Sequence, residues 1–549
     1  MIRGTFKISK KTTKGKTYYT AAVVKSYREN GKIRHKTLKS FGGVTLEEAQ
    51  RLKLAYTAKS IEGLVHIDDI ACEDGLLYGG IYLIRHLWER IGLDKALKGC
   101  RSYFSEIFAM VCQRIFSPDS KLQLTEWTPD TALSFLVGLK VEQPIPHRCY
   151  FALDKLLDNI KGFEESLPLI AGKFNQDLSR LYYDITSTYF EGSKVRIALY
   201  GYSRDRRPDK KQIVIGLVTT PEGFPLKVLI YEGNRCDRST IQEVVGEIKN
   251  SFPNSEITIV LDRGMLSKNN IELIETSGYK YIIALRKADT SNILTSPPQE
   301  SEMQQFKEGQ YVRLHESLTD RYAIALNTQK REDDRRYREE KIAVAMNELE
   351  KLNKTIQKGQ LTDRDKIIAK VILILNRYKV KRYIAWSVAE GKGQIIRHKR
   401  NDKEIARHEI HDGVYVLKTN KSDITSQEIV NAYKQLNRVE MAFRCLKDTL
   451  EIRPVYHWKE KRVKAHVYIC VISYLIHTVI EYILKSKGIS LSADSFLKRI
   501  NRVKLITLID KDGAVITHKV TKKMDDDTIA YLKEFGINTI KAEKMYWRK

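Results

Sequence analysis

Three acidic residues could carry metal-assisted chemistry in this sequence, and each sits in a different local setting. Asp184 lies in LYYDITSTYF, where alternation puts Tyr182, Asp184, Thr186, Thr188 and Phe190 on one face of a strand and Tyr183, Ile185, Ser187 and Tyr189 on the other. Aspartate is depleted in strands, and a buried carboxylate is costly unless a hydrogen bond, a counter-charge or a metal satisfies it. Asp262 follows the apolar run ITIVL and precedes Arg263-Gly264, so it ends a buried strand, where α/β sheets commonly present functional groups. Glu440 belongs to a helical pattern: at about 100° per residue Tyr433, Glu440 and Lys447 fall within about 40° of one another, with Arg444 close by. Leu436, Phe443 and Leu450 line the adjoining apolar edge.

Taken singly, each acid has an ordinary structural explanation: a hydrogen-bonded strand aspartate, a turn aspartate, or a charge on a solvated helix face. Taken together they suit divalent-metal phosphoryl transfer. That chemistry needs hard oxygen ligands from separate elements to hold two ions about 4 Å apart. Glu440, rather than Asp448 or Glu451, is taken as the helical member because it stands at the border of the apolar stripe.

The elements that must position these acids can be read from periodicity. From Leu181 the period is two: LYYDITSTYFEG, QIVIGLVTT and FPLKVLIYEG, then a helical IQEVVGEIKNSF, the strand EITIVLDRG, a helix NNIELIETSG and the strand YKYIIALR. Three hairpin-linked strands followed by helix, strand, helix and strand predict a mixed α/β sheet with an antiparallel half, in the order of a ribonuclease H-like core. Before it, GTFKISK, KTYYTAAVVKSYR, a turn at Asn30-Gly31 and KIRHKTLKSFG predict a small basic antiparallel sheet, and Leu46 to Phe174 is helical. The stretch Lys287 to His411 is highly charged and partly helical, too long for a loop, and reads as an insertion. After GVYVLKT a helix is expected from near Thr425 until Arg453-Pro454.

The expected organisation is therefore a small basic β domain at 1–60 whose charged surface suits DNA, a helical domain at 61–178, and a mixed-sheet core at 179–286 and 413–485. An inserted domain at 287–412 divides that core, and a C-terminal region at 486–549 has no assigned role. The fold class is α/β, a ribonuclease H-like mixed sheet with helices on both faces.

Composition agrees with a polyanionic partner. Lys plus Arg number 95 against 68 acids in 549 residues, a net charge of +27. The start, MIRGTFKISKK, has no apolar core of a signal peptide, so a cytoplasmic protein is expected. His466 to Leu484 is about long enough to span a bilayer, but with two histidines and Glu481 it reads as a buried helix, and no membrane partner is expected. The seven cysteines form no C-x-x-C pair and suggest neither disulfides nor a zinc site.

The blocks YYDITSTYFEG, Gly201 to Gln212 (GYSRDRRPDKKQ), Gly233 to Asp237 (GNRCD), LDRGMLSKNN and YKQLNRVEMAFRCLKDTLEIRPVYHW occur in an order that resembles DDE transposases of bacterial insertion sequences. The relevant branch carries a Y-x2-R-x3-E-x6-K helix signature. Tyr433, Glu440 and Lys447 match it, whereas Leu436 stands where its arginine would be; Arg438 and Arg444 lie nearby, and Arg444 is the better placed to substitute.

The resemblance implies Asp184, Asp262 and Glu440 as catalytic, metal-binding carboxylates and two Mg²⁺ ions, with Mn²⁺ able to substitute. It also implies DNA contacts from Tyr433, Arg438, Arg444 and Lys447, and a β-rich insertion before the last acid. The partners it implies are double-stranded DNA, both inverted element ends and target, and a second copy of the chain in a synaptic complex. The expected activity is cleavage at element ends and strand transfer. A metal-dependent nuclease without transfer, or a non-catalytic DNA-binding derivative, are the alternatives.

Overall fold

The computed structural model of the chain describes residues 4–13, 16–29, 32–57, 69–140, 145–192, 194–252, 256–317, 320–389, 395–521 and 524–547. It contains two compact units, Met1–Gly75 with Leu505–Thr521, and Leu76–Lys504 with Lys522–Lys549.

In the smaller unit the strands Thr5–Thr13, Lys16–Glu29 and Lys32–Val44 form an antiparallel sheet. The turn expected at Asn30-Gly31 lies outside the described residues. The helix Leu46–Thr57 starts at a reciprocal cap: the Glu48 N–H donates to Thr45 Oγ1 (3.2 Å) and the Thr45 N–H to Glu48 Oε2 (2.8 Å). It packs on the sheet face carrying Phe6, Ala21 and Val23, with Ala49 as its own buried contact. Much of the remaining sheet surface, including Tyr18, is exposed. A second antiparallel pair, Lys504–Ile509 with Val515–Val520, also contributes to this unit, and Ala71–Cys72 pairs with its first strand.

The larger unit is organised around the helix Glu460–Ser486. By length and composition this helix could cross a membrane, yet 83% of its most apolar window is buried inside the protein. Against it pack the helices Phe104–Phe116 and Ile145–Asp158. Nearby, Trp88, Phe104, Phe108 and Trp547 meet edge-on, and the buried Arg85 lies over the Phe104 ring while donating to Met545 O (2.9 Å).

Among the described residues, nine strands form the sheet that supports the site. Its centre follows the predicted order. Pro225–Glu232, Gln212–Thr219 and Arg180–Tyr189 are antiparallel neighbours. Thr258–Leu261 then lies parallel to Arg180–Tyr189, and Lys280–Ala284 parallel to Thr258–Leu261. Gln212–Thr219 is buried along its whole length because both faces are covered, which explains the apolar run Ile213–Val218 at its centre. Gly216 in this strand leaves room for Tyr183: a side-chain carbon there would fall 2.8 Å from the Tyr183 hydroxyl oxygen.

Val414–Thr419 adds antiparallel to Lys280–Ala284, and Arg321–Asn327, Gln310–Glu316 and Gln304–Lys307 continue the sheet outward. The first part of the charged segment after Lys287 thus extends the core sheet. The part with a core of its own is narrower: the helices Thr328–Gln357 and Arg364–Arg377 and the hairpin Ile384–Val388 with Ile396–Arg400, packed through Ile342, Leu349, Ile367 and Val371.

Candidate active site

Parallel register brings the two strand acids together. Tyr183 pairs with Leu261, so the residues that follow, Asp184 and Asp262, lie on adjacent strands at about the 4.8 Å inter-strand spacing. Asp184 shares its strand face with Tyr182, whose hydroxyl donates to Gln435 Oε1 (2.7 Å), so this face meets the segment that carries Glu440. Asp262 adopts extended backbone at the start of a short 3-10 turn, and its Oδ1 accepts from the Tyr433 hydroxyl (3.1 Å).

The segment bearing Glu440 is not one continuous helix. Ser426–Lys434 begins at Thr425 with a reciprocal cap to Glu428, a turn follows at Gln435 and Leu436, Asn437–Arg444 resumes the helix, and Cys445–Thr449 widens into a π-turn. The uniform 100° advance expected from the sequence therefore fails at two places. Even so, Tyr433 reaches Asp262, Glu440 and Arg444 line the same cleft, and Lys447 Nζ donates to Asp205 Oδ1 (2.7 Å).

The cleft has a volume of about 460 Å³ and brings Asp184, Asp262 and Glu440 together with Arg444 and Lys447. Arg438 is not brought there; it lines a separate cavity with Met441, Tyr474 and His477. Leu436 is buried.

Four further residues at the cleft were not singled out from the sequence: Arg204, Asp205, Asp237 and Arg453. Arg204 donates to Asp237 Oδ1 (2.7 Å) and, through its backbone N–H, to Ser187 Oγ (2.9 Å). The Asp205 side chain is 2% exposed and is gripped by Lys447 and Arg453. The signal for the first three lay in the GYSRDRRPDKKQ and GNRCD blocks, which periodicity alone could not interpret.

Burial raises the Asp184 carboxyl to about 7; the Ile185 N–H (2.8 Å) opposes the rise, the Asp262 and Glu440 carboxylates add to it, and Arg204 works against it. Burial also raises the Tyr433 hydroxyl, reinforced by Asp262, so it stays a hydrogen-bond donor. Burial lowers Lys447 against its ion pair with Asp205.

The donor set is all carboxylate oxygen, which suits a hard divalent cation, and the like-charged neighbours of Asp184 leave a demand for positive charge. Among the described residues no three acidic, histidine or cysteine side chains converge on a common point, so the carboxylates line the cleft without closing around an ion.

The family model described as the transposase DDE domain matches residues 183–476, more than half the chain and the whole of this cleft. The chain belongs to the DDE transposase family. A second model, the N-terminal domain of IS1634 family transposases, matches residues 6–63 and marks the protein as an insertion-sequence transposase. Among solved structures it is similar to that titled cryo-EM structure of piggyBac transposase synaptic complex with hairpin DNA, at 10% identity and a TM-score of 0.38, over 77% of this chain and 79% of that one. No curated protein matches the chain.

The core is therefore ribonuclease H-like, as its strand order predicts, and the protein is a DNA transposase, a DNA-binding, metal-dependent phosphoryl-transfer enzyme.

Proposed function

We propose that Asp184, Asp262 and Glu440 are the catalytic carboxylates of this transposase and hold two Mg²⁺ ions. The observation that carries the reading is the parallel register that sets Asp184 beside Asp262, in the cleft that Glu440 also lines. When bound, the cations supply Lewis acidity that activates the attacking water or 3′-hydroxyl and stabilises the leaving oxygen.

The chain's own groups prepare the site. Tyr433 orients the Asp262 carboxylate through its hydroxyl, and the Ile185 N–H fixes one oxygen of Asp184. Lys447 and Arg453 neutralise Asp205, and Arg204 is paired with Asp237, so these two acids are already compensated while the proposed ligands are not. Arg444, exposed at the cleft, grips a backbone phosphate of the strand being cut. Arg438 stands outside the cleft and takes no part in gripping that phosphate.

In the wider reading, residues 1–60 recognise inverted element ends, 61–178 form the helical domain, and 179–286 with 413–485 form the catalytic core, joined in its sheet by the strands of 304–327, so that within 287–412 the inserted part is the helices and hairpin that follow Thr328. Two copies of the chain hold two ends in a synaptic complex in the cytoplasm. Support comes from the exposed basic sheet with Tyr18 and from the need to join two ends at once. A strand-transfer assay tests this function: purified protein, Mg²⁺ and labelled end DNA should give both cleaved ends and ends joined to target. Cleavage without joined product identifies a nuclease instead.

A further inference from the structure

A second cavity, of about 640 Å³, opens beside the acidic cleft and shares Arg453 with it. Its lining holds the basic side chains of Arg114, Lys121 and Arg453 and two imidazoles that burial keeps neutral. Arg114 comes from the helix Phe104–Phe116, Lys121 from the turn that follows, His457 from the chain beyond the π-turn, and His466 from the long buried helix. The two acids of the lining, Asp119 and Glu451, are exposed. Arg114 uses their backbone carbonyls, not their carboxylates, donating to Glu451 O (2.9 Å) and to Asp119 O.

Three residues of this lining carry a buried polar nitrogen with no partner within the protein. Lys121 is 4% exposed and its Nζ has no hydrogen-bond partner; nor do Arg114 Nε and His466 Nδ1. His466 is committed only through Nε2, to Ile452 O (3.1 Å). Burial, and then Arg114, lower Lys121 to about 7, and burial with Lys121 and the neighbouring arginines lowers His457 to about 3. A buried ammonium beside a guanidinium is strongly unfavourable in isolation and becomes favourable when an anion enters. An apolar residue of similar size would serve packing better than Lys121 does, so packing does not account for it.

We propose that this cavity is a phosphate-binding site that takes a DNA backbone phosphate next to the strand held in the acidic cleft. Lys121 and Arg114 would supply the donors, and Arg453 would link the two sites. The wall formed by Leu450 to His457 follows directly on the segment that carries Glu440, so occupancy would also brace that segment. The assignment rests on DNA being the substrate of the cleft.

The test uses the full-length protein in EDTA. Inorganic phosphate, compared with chloride at equal ionic strength, should raise the melting temperature of the wild type. Lys121→Met should melt at or above the wild type, because it removes an unpaired buried charge. It should also lose the phosphate-induced rise and bind a short single-stranded oligonucleotide roughly tenfold more weakly. Weaker oligonucleotide binding together with loss of the phosphate response supports the proposal, and weaker oligonucleotide binding with the phosphate response intact overturns the phosphate site at Lys121. Loss of the phosphate response alone makes this a site for free phosphate and overturns the DNA assignment. Unchanged binding of both probes overturns the site altogether. Should Lys121→Met not fold, the absence of any phosphate-specific stabilisation of the wild type is sufficient to overturn it. Glu440→Gln leaves this cavity intact and should keep the phosphate response, so failure of the carboxylate assignment would not be mistaken for failure of this one.

Discussion

In the acidic cleft the charge of the buried Asp205 is paired through Oδ1 with Lys447 and Arg453, although its Oδ2 has no hydrogen-bond partner, whereas in the cavity that shares Arg453 the equally buried Lys121 has no counter-charge or hydrogen bond at Nζ. Asp184 resembles Lys121 rather than Asp205: its neighbours Asp262 and Glu440 carry its own sign. The contrast separates charges that the fold has already satisfied from charges that wait for a ligand. Paired residues such as Asp205 and Lys447 then stabilise the scaffold, and unpaired ones bind the cation or the phosphate.

The largest effect should come from the waiting charges. Asp184→Asn and Asp262→Asn should each reduce cleavage of end DNA at least about a thousandfold, ~4 kcal/mol in the barrier, with near-normal DNA binding by gel shift. A reduction of less than about tenfold in either would break the comparison.

Paired charges should show up in stability instead. Asp205→Ala strands Lys447 in a largely enclosed setting and leaves Arg453 only its exposed partner Asp448, and should cost about 3 kcal/mol, read as a lower denaturant midpoint. An unchanged midpoint would place Asp205 with the ligand-seeking group.

His477 offers a gentler version of the same case. Burial disfavours its charged form, but Asp494 (2.9 Å) and the Cys445 thiol together override this and raise the imidazole to about 10, and His477 lowers Asp494 in return. A histidine with a raised folded value contributes its stability below the unfolded value of about 6.5, and that contribution is lost as pH rises toward about 10. The stability gap between wild type and His477→Gln should therefore be largest near pH 6 and shrink by pH 10. About 1–2 kcal/mol is expected, because Asp494 is half exposed and screened. A gap independent of pH would show that the pair is not ionic.

The smallest effect concerns Arg444. Its removal should lower the slope of log binding constant against log salt by about one counterion. Lys447, already occupied by Asp205, should contribute less than a full counterion when neutralised.

The central strands and their order were legible because their apolar alternation is local, and Asp184 and Asp262 were legible as acids in strand settings. Their adjacency was less so, since parallel register depends on pairing across distant segments. Arg204, Asp205 and Asp237 sit in loops, where no period reveals what a side chain will touch. The turn at Gln435 and Leu436 and the π-turn at Cys445–Thr449 carry no proline or glycine, so nothing local announced them. The sheet strands inside the charged segment looked like part of a separate insertion because their partner, Val414–Thr419, lies far along the chain. For the same reason the pairing of Lys504–Ile509 with Ala71–Cys72 left no trace in composition. Lys121 went unnoticed because an isolated lysine in a turn looks solvated until its burial is known.

The most direct test of the catalytic assignment is cleavage of labelled end DNA by Glu440→Gln, with folding first verified by thermal melting. The substitution keeps the side chain's shape and removes the charge. The account predicts a folded variant that binds end DNA at near wild-type affinity and neither nicks nor joins it in Mg²⁺. A folded variant that still cleaves within about tenfold of wild type, a difference of only ~1.4 kcal/mol, would contradict it and assign the third carboxylate elsewhere.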